Sequence, residues 1–420
     1  MNKITFAFKN MLNQKVGRLE EQWKFDSGSL LLSSPVIGDL DEDGKKEILF
    51  GTKDGRIISI GGDGIQKWAF SAQEHHSDLE LMFLDAESSD SINSTPNIED
   101  INWDGKKEIL FGTEAGKLYC LDNTGKVLWT FQSQGPIRGS AIVQRFQNKE
   151  SGIIFGSSDR NLYFLSSKGK IFWKFETESE IESCPAFINH KQPMIVFGTN
   201  SGKLYCLDLK GKELWTYKTK GKILAQPVLE TLSAGLEPVI VFGSTDGNLY
   251  CLGTSGELLW KYETDGAICS KAQVADLNSD GKKEIVFGSC DNSVYALDFS
   301  GKKLWSYQTD FWVVASPIVA DIDNDGRLEV IAGSYDHNIY VLDCEGSYML
   351  DYVPGVSGIV AQTGNYGEAI TREPGKTLGK KIWQYQADGI IVGCALVDDT
   401  RNIIINTDSG KIKNLVHKKE

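Results

Sequence analysis

One phrase recurs along the whole chain and restricts its fold more than any other feature. G-x-x-L-W-x-[FY] appears around Trp68, Trp129, Trp173, Trp215, Trp260, Trp305 and Trp383, with a variant at Trp23. A second phrase, F-G-[ST], sits at Phe50–Thr52, Phe111–Thr113, Phe155–Ser157, Phe197–Thr199, Phe242–Ser244 and Phe287–Ser289, and weakens to Ala332–Ser334 and Ile405–Thr407. Through Trp173, Trp215, Trp260 and Trp305 the period is about 45 residues, a structural repeat that fits four short strands with their turns.

Each unit reads as strands A to D. A is a small apolar run such as Ala315–Ala320, B is E-I-[LV]-F-G, C alternates as in Lys203–Asp208, and D carries the tryptophan. Turns such as Asp54-Gly55 and Lys210-Gly211 use glycine because tight hairpins need φ > 0. No segment reads as a helix. The step from each tryptophan to a Pro or Ala in the next A strand is constant, as in Trp23→Pro35, Trp129→Ala141, Trp173→Pro185 and Trp383→Ala395. It lengthens only at Trp68→Pro96, which marks an insertion. The chain starts with a D-type strand (Leu19–Phe25) and ends with A, B and C strands (Gly393–Val416). The expected architecture is therefore all-β: an eight-bladed propeller of four-stranded antiparallel blades, one domain over 1–420, closed by the N-terminal strand completing the last blade. One region is ambiguous. Leu350 follows Pro317 at the same interval by which Trp68 follows Pro35, which makes Gly346–Tyr352 the D strand of the seventh blade. Residues 353–381 are then an insertion or a truncated blade, with Trp383 on a spare or replacement strand.

L-Y-x-L-D-x-x-G-K-x-L-W-x-Y resembles the repeat of the pyrroloquinoline-quinone (PQQ) type propellers, seen in quinoprotein alcohol dehydrogenases. Similar repeats build non-enzymatic propellers such as the lipoprotein of bacterial outer-membrane barrel assembly. The resemblance covers nearly the whole chain and implies the fold more than an activity. It also implies that the repeated tryptophan docks neighbouring blades, as expected of a large aromatic recurring once per sheet.

Four A–B connections share an acidic pattern. They begin at Asp39, Asp100, Asp276 and Asp321. Oxygen ligands at positions 1, 3 and 5, with Gly at 6, are what a calcium loop requires. These ligands are Asp39, Asp41 and Asp43; Asp100, Asn102 and Asp104; Asp276, Asn278 and Asp280; and Asp321, Asp323 and Asp325. Position 7 (Lys45, Lys106, Lys282, Arg327) would supply a backbone carbonyl, and position 9 (Glu47, Glu108, Glu284, Glu329) a carboxylate. The loops resemble the calcium loops of integrin-type FG-GAP repeats but carry Glu in place of Asp at position 9. The plainer reading is a solvated Asx-rich hairpin loop. Four copies at one structural position favour structural Ca²⁺, most strongly at the first and fourth loops, which have three Asp each. Together the four nonapeptides hold fifteen acidic and seven basic residues, so much of the chain's net charge of −13 is concentrated in them.

That acidic balance argues against nucleic acid, whose binding rests on clustered cations. No apolar run reaches the length of a membrane span. The start MNKITFAFKNMLNQK has no clean apolar segment with a cleavage site, which points to a cytoplasmic protein, or an extracytoplasmic one if a natural leader precedes it. The eight cysteines include no C-x-x-C, and Cys120, Cys206 and Cys251 fill a slot that elsewhere takes Phe164, Ala296 and Val341, so they read as reduced packing residues. A quinoprotein dehydrogenase would need a catalytic carboxylate beside its quinone, and that family often carries a vicinal Cys-Cys pair, absent here; PQQ is not expected. His75 and His76 are the only adjacent histidines.

The insertion at 71–93 and that at 353–381 both read as D–A connections, on the face opposite the acidic loops. The same face carries Arg138, Glu182, Lys222 and the non-repeat pair Phe311-Trp312, while Leu81-Met82-Phe83-Leu84 lies in the first insertion. Trp312 is either a plug for the channel mouth or a contact residue, and Phe83 belongs either to a self-packed flap or to a partner-binding hook. The expected function is a non-catalytic, monomeric scaffold that binds another protein on this face. The alternative is a quinoprotein-like or carbohydrate-active enzyme using the channel mouth.

Overall fold

The computed structural model describes residues 18–72, 90–146, 150–189, 192–344, 380–397 and 401–418. They form eight four-stranded antiparallel sheets, the blades of a propeller, and no helix occurs among the described residues, so none is long and apolar enough to cross a membrane. Blades 1 to 6 run over 36–71, 97–132, 142–176, 186–218, 228–263 and 273–308; blade 7 over 318–386; blade 8 over 391–418 plus 18–26. The closure is as expected. Arg18–Asp26 pairs with Lys411–Lys418, from Arg18 opposite Lys418 to Asp26 opposite Lys411.

Burial follows the strand letters. Most B strands, Glu108–Gly112 among them, are buried at every position, and C strands nearly so, because each blade is covered on both faces by its neighbours. D strands such as Val127–Gln132 alternate between exposed and half-buried and form the outer rim. A strands of adjacent blades approach one another around the axis.

The tryptophans lock the blades together. The Nε1–H of Trp23, Trp129, Trp173 and Trp215 donates to Gly62, Ser167, Leu209 and Thr254 carbonyls at 2.9–3.0 Å, each in the C–D turn of the next blade. The turn glycine lies flat on the indole: a Cβ on Gly256 (φ +89°) would sit 2.7 Å from the Trp215 ring.

Blade 7 departs from the sequence reading. Its D strand is Lys380–Gln386 and not Gly346–Tyr352: it pairs with Asn338–Asp343, with Trp383 opposite Val341. Trp383 is thus the anchor on a replacement strand. The long connection joins strand C to strand D, so it leaves from the face of the acidic loops and not from the D–A face; its residues 345–379 lie outside the described residues. The physical reason is that an apolar anchor, not the chain spacing, decides which segment fills the rim: Trp383 is buried against the next blade and packs at a tilt against His417 with ring centroids 4.2 Å apart.

Candidate functional site

Antiparallel strands put the A–B and C–D connections at one face and the B–C and D–A connections at the other. The acidic loops occupy the first face. In each, the position-4 residue (Glu42, Trp103, Ser279, Asn324) and the position-6 glycine both have φ between 59° and 89°, which curls the loop so that its side-chain oxygens converge. The position-1 aspartate accepts from the position-6 glycine N–H: Asp39 from Gly44 (3.0 Å), Asp100 from Gly105 (3.3 Å), Asp276 from Gly281 (2.9 Å) and Asp321 from Gly326 (3.1 Å). Position-5 aspartates accept from the position-7 amides of Lys45, Lys106, Lys282 and Arg327 at 2.7–2.9 Å.

The position-9 glutamates serve the loop in a way the sequence did not disclose. Glu47, Glu108, Glu284 and Glu329 are all buried, and one carboxylate oxygen of each accepts the position-2 amide (Leu40, Ile101, Leu277, Ile322) at 2.8–2.9 Å. They tie the loop base to strand B. In loops 2 and 3 the other oxygen accepts from the amides of Asn102 (2.9 Å) and Asn278 (3.4 Å). Burial, reinforced by Asp104 and Asp100, pushes the Glu108 carboxyl up to about 7; Glu284 is raised for the same reasons, with Asp280 and Asp276 as neighbours.

These residues fit a hard divalent cation. In loops 1 and 4 the three aspartates (Asp39, Asp41, Asp43; Asp321, Asp323, Asp325) present carboxylate oxygens within 4.8 Å of one another. Asp39 Oδ1 and Asp100 Oδ1 are buried with no hydrogen-bond partner, the state of a carboxylate oxygen made for a ligand. Basic side chains already approach three of the loops. Lys67 Nζ reaches Asp41 Oδ2 (3.2 Å) and Glu47 Oε1 (2.5 Å), Arg145 reaches Asp100 (2.9 Å), and Arg401 reaches Asp321 (3.2 Å). Lys67 stands where blades 2 to 5 carry Leu128, Phe172, Leu214 and Leu259. A hollow of about 160 Å³ beside it is lined by Leu40, Asp41, Glu47, Lys67 and Trp68.

On the opposite face, Arg138 and Glu182 meet, joined by Glu114. Arg138 makes a two-pronged ion pair with Glu114 (2.9 Å at both Nε and Nη2) and reaches Glu182 at 2.5 Å through Nη1. Asn93 donates to the same Glu114 at 2.6 Å. Phe311 and Trp312 are exposed (45% and 44%) and stacked on each other with centroids 5.1 Å apart, and Tyr335 lies 6.2 Å from Trp312. Trp312 is a surface residue and not buried in the channel. Lys222 is exposed at the same mouth, and a hollow of about 400 Å³ opens beside Leu30, Lys53, Asp54 and Ser409. The first insertion connects strand D of blade 1 to strand A of blade 2, so it does emerge on this face. Phe83, His75 and His76 lie outside the described residues.

Residues 90–354 match the family described as beta-alanine-activating enzyme, beta-propeller. The chain belongs to that family. Among solved structures the chain is similar to BamB from Moraxella catarrhalis (TM-score 0.65, 15% identity, covering 96% of this chain and 98% of that one). It is also similar to the C-terminal WD40 domain of Sif2 (TM-score 0.61, 14% identity, 96% and 99% covered). A third is BBS1N in complex with ARL6DN, soaked with lead (TM-score 0.53, 10% identity, 96% and 97% covered). At these identities the likeness is one of fold. No curated protein matches the chain.

Proposed function

We propose that this chain is a non-catalytic propeller, supported by Ca²⁺ in its A–B loops, that docks another protein on its D–A face. The observation that carries the docking is the Phe311–Trp312 pair. Two large aromatics stand stacked and exposed on the D–A face, although Trp305 already fills the anchor slot of that blade and so leaves Trp312 without a packing duty. Exposed tryptophan and phenylalanine are among the residues enriched at protein-binding interfaces, and tryptophan is enriched at their hot spots. The family's description names an enzyme to which such a propeller belongs, and one of the similar structures is a complex with a second protein. Both are consistent with a module that serves a partner. The acidic loops resemble FG-GAP calcium loops in spacing and PQQ-type repeats surround them, so the cation is assigned a supporting role, with Asp39, Asp41, Asp43, Asp321, Asp323 and Asp325 as its main holders.

Two experiments test this reading. Chelator-treated protein should melt at lower temperature than protein in calcium; a site filled at about 100 times its Kd adds about 2.7 kcal/mol. Unchanged melting together with no metal by elemental analysis would reject the cation. For docking, wild-type chain and a Phe311→Ala/Trp312→Ala double variant should melt alike but differ in the partner they retain. A partner held equally by both removes this face from the proposal, and stoichiometric PQQ binding with dye reduction would replace the scaffold reading with the enzymatic one.

A further inference from the structure

Two positions of the repeat face each other at the D–A mouth of every blade. One is the residue after the buried Ile, Val or Leu of the D–A loop; the other is the residue after the F-G-[ST] phrase in the B–C turn. The pairing is set by the backbone: in blade 2 the Glu114 amide donates to the Ser91 carbonyl at 2.9 Å, and in blade 6 the Cys290 amide donates to the Ala267 carbonyl at 2.9 Å. In blade 2 the two slots hold Asn93 and Glu114, whose side chains touch at 2.6 Å. In blade 6 they hold Cys269 and Cys290.

We propose that Cys269 and Cys290 are a reactive dithiol that hydroperoxides convert to a reversible disulfide across the mouth of blade 6. The 2.9 Å backbone hydrogen bond holds the two slots side by side, and both cysteine side chains are half-buried, within reach of a small oxidant. The Cys269 thiol, acting as donor, draws the Cys290 thiol down to about 7, while its own pKa rises. The other cysteines differ. Cys120, Cys206 and Cys251 are fully buried in C strands, Cys344 is also buried, and burial pushes the Cys184 and Cys394 thiols up to about 12. None of the eight is in a disulfide. Tyr335 borders the pair: burial raises its phenol, and the negative charge that Cys290 and Cys269 can carry raises it further.

The chemistry balances with a peroxide as the oxidant. The Cys290 thiolate sulfur attacks one peroxide oxygen, the O–O bond breaks, and the departing oxygen leaves as hydroxide and takes up a proton to become water. Cys290 is then a sulfenic acid. The Cys269 sulfur attacks the Cys290 sulfur, the S–O bond breaks, and its oxygen leaves as water with the Cys269 proton. Two thiols lose two electrons to one peroxide, and a dithiol reductant restores them by exchange.

The test uses the full chain, the variants Cys269→Ala and Cys290→Ala, and hydrogen peroxide itself. Each variant is first melted to show that it folds like the wild type. Peroxide followed by alkylation under denaturing conditions and peptide mapping should show a 269–290 cross-link, removed by dithiothreitol. In Cys269→Ala the cross-link is lost and dimedone labels Cys290; in Cys290→Ala both products are lost. Before oxidation, Cys290 in the wild type should alkylate roughly fivefold to tenfold faster at pH 7 than in Cys269→Ala. If both cysteines stay alkylatable after peroxide, if Cys290 reacts no faster than in the variant, or if either one pairs elsewhere, the dithiol assignment is overturned.

Discussion

The indoles of Trp23, Trp129, Trp173 and Trp215 are each held by two contacts from the next blade, a carbonyl for the N–H and a glycine against the ring face. Gly256 shows why that glycine cannot be exchanged. Its φ of +89° is costly for any L side chain, and an added Cβ would sit 2.7 Å from the Trp215 ring. Gly256→Ala should destabilise the chain by about 1–3 kcal/mol, read from denaturant melts, whereas alanine at the exposed neighbour Ser255 should change stability by less than about 0.5 kcal/mol. Trp383 departs from this pattern. Its Nε1–H has no acceptor among the described residues, and its ring packs at a tilt against His417. The next blade is the closing one, whose C and D strands are the two ends of the chain, so no C–D turn exists to offer a carbonyl. The orphaned donor marks the seam of the ring.

At the scale of the element, the strands were legible and their irregularities were not. In all eight blades the register of strand D slips by one residue just before the tryptophan, as between Phe164↔Trp173 and Leu165↔Ile171. The skipped residue is a β-bulge, which lets Trp173 turn inward while Ile171 and Phe172 both face out. Two consecutive apolar residues before Trp129, Trp173 and Trp260 broke the period of two and were the available signal. The acidic loops were likewise legible as spaced oxygens around a glycine turn, but the buried Glu tether depends on tertiary burial and is not written in spacing. Blade 7 was misread because the Pro317-to-Leu350 interval was followed, although Trp383 precedes Ala395 by the same step that separates Trp305 from Pro317. The bulge position also distinguishes loop 1. There the skipped residue is Lys67, whose ammonium lies on Asp41 and Glu47, where a bound cation would feel its repulsion. Lys67→Met should therefore tighten calcium binding at loop 1, by about tenfold if roughly 1.4 kcal/mol of repulsion is relieved. Titration calorimetry on the single variant reads this directly; an unchanged or weaker affinity would show that Lys67 does not compete.

Across the whole molecule, stability depends on what happens where the chain ends meet. Arg18–Asp26 completes blade 8, its Trp23 docks on blade 1, and Lys413 joins the seam by pairing with Glu21 (3.3 Å) and Asp388 (3.0 Å). Lys413 is buried. Burial alone would raise the Asp388 carboxyl, but Lys411 and Lys413 overcome it and hold that carboxyl down to about 2. A carboxylate with a folded-state pKa below its unfolded value contributes stability above about pH 4, and that contribution fades as pH falls through 2. Glu108, raised to about 7, has the opposite sign: the metal-free fold should gain stability as pH falls from 8 toward 5, and Glu108→Gln should flatten that gain. The seam can be tested apart from the loops. Replacing Lys413 with Met leaves Asp388 paired to Lys411 alone and Glu21 to Tyr385, a loss on the order of 1 kcal/mol for half-exposed pairs. Because the blades form a closed ring, that loss should appear in one cooperative transition and not in the early melting of blade 8 alone. Hydrogen exchange would separate the two cases: protection falling equally in B strands of blades 3 to 5 supports ring-wide coupling, and protection lost only in Ile391–Val397 and Asn402–Thr407 would show that the seam frays independently.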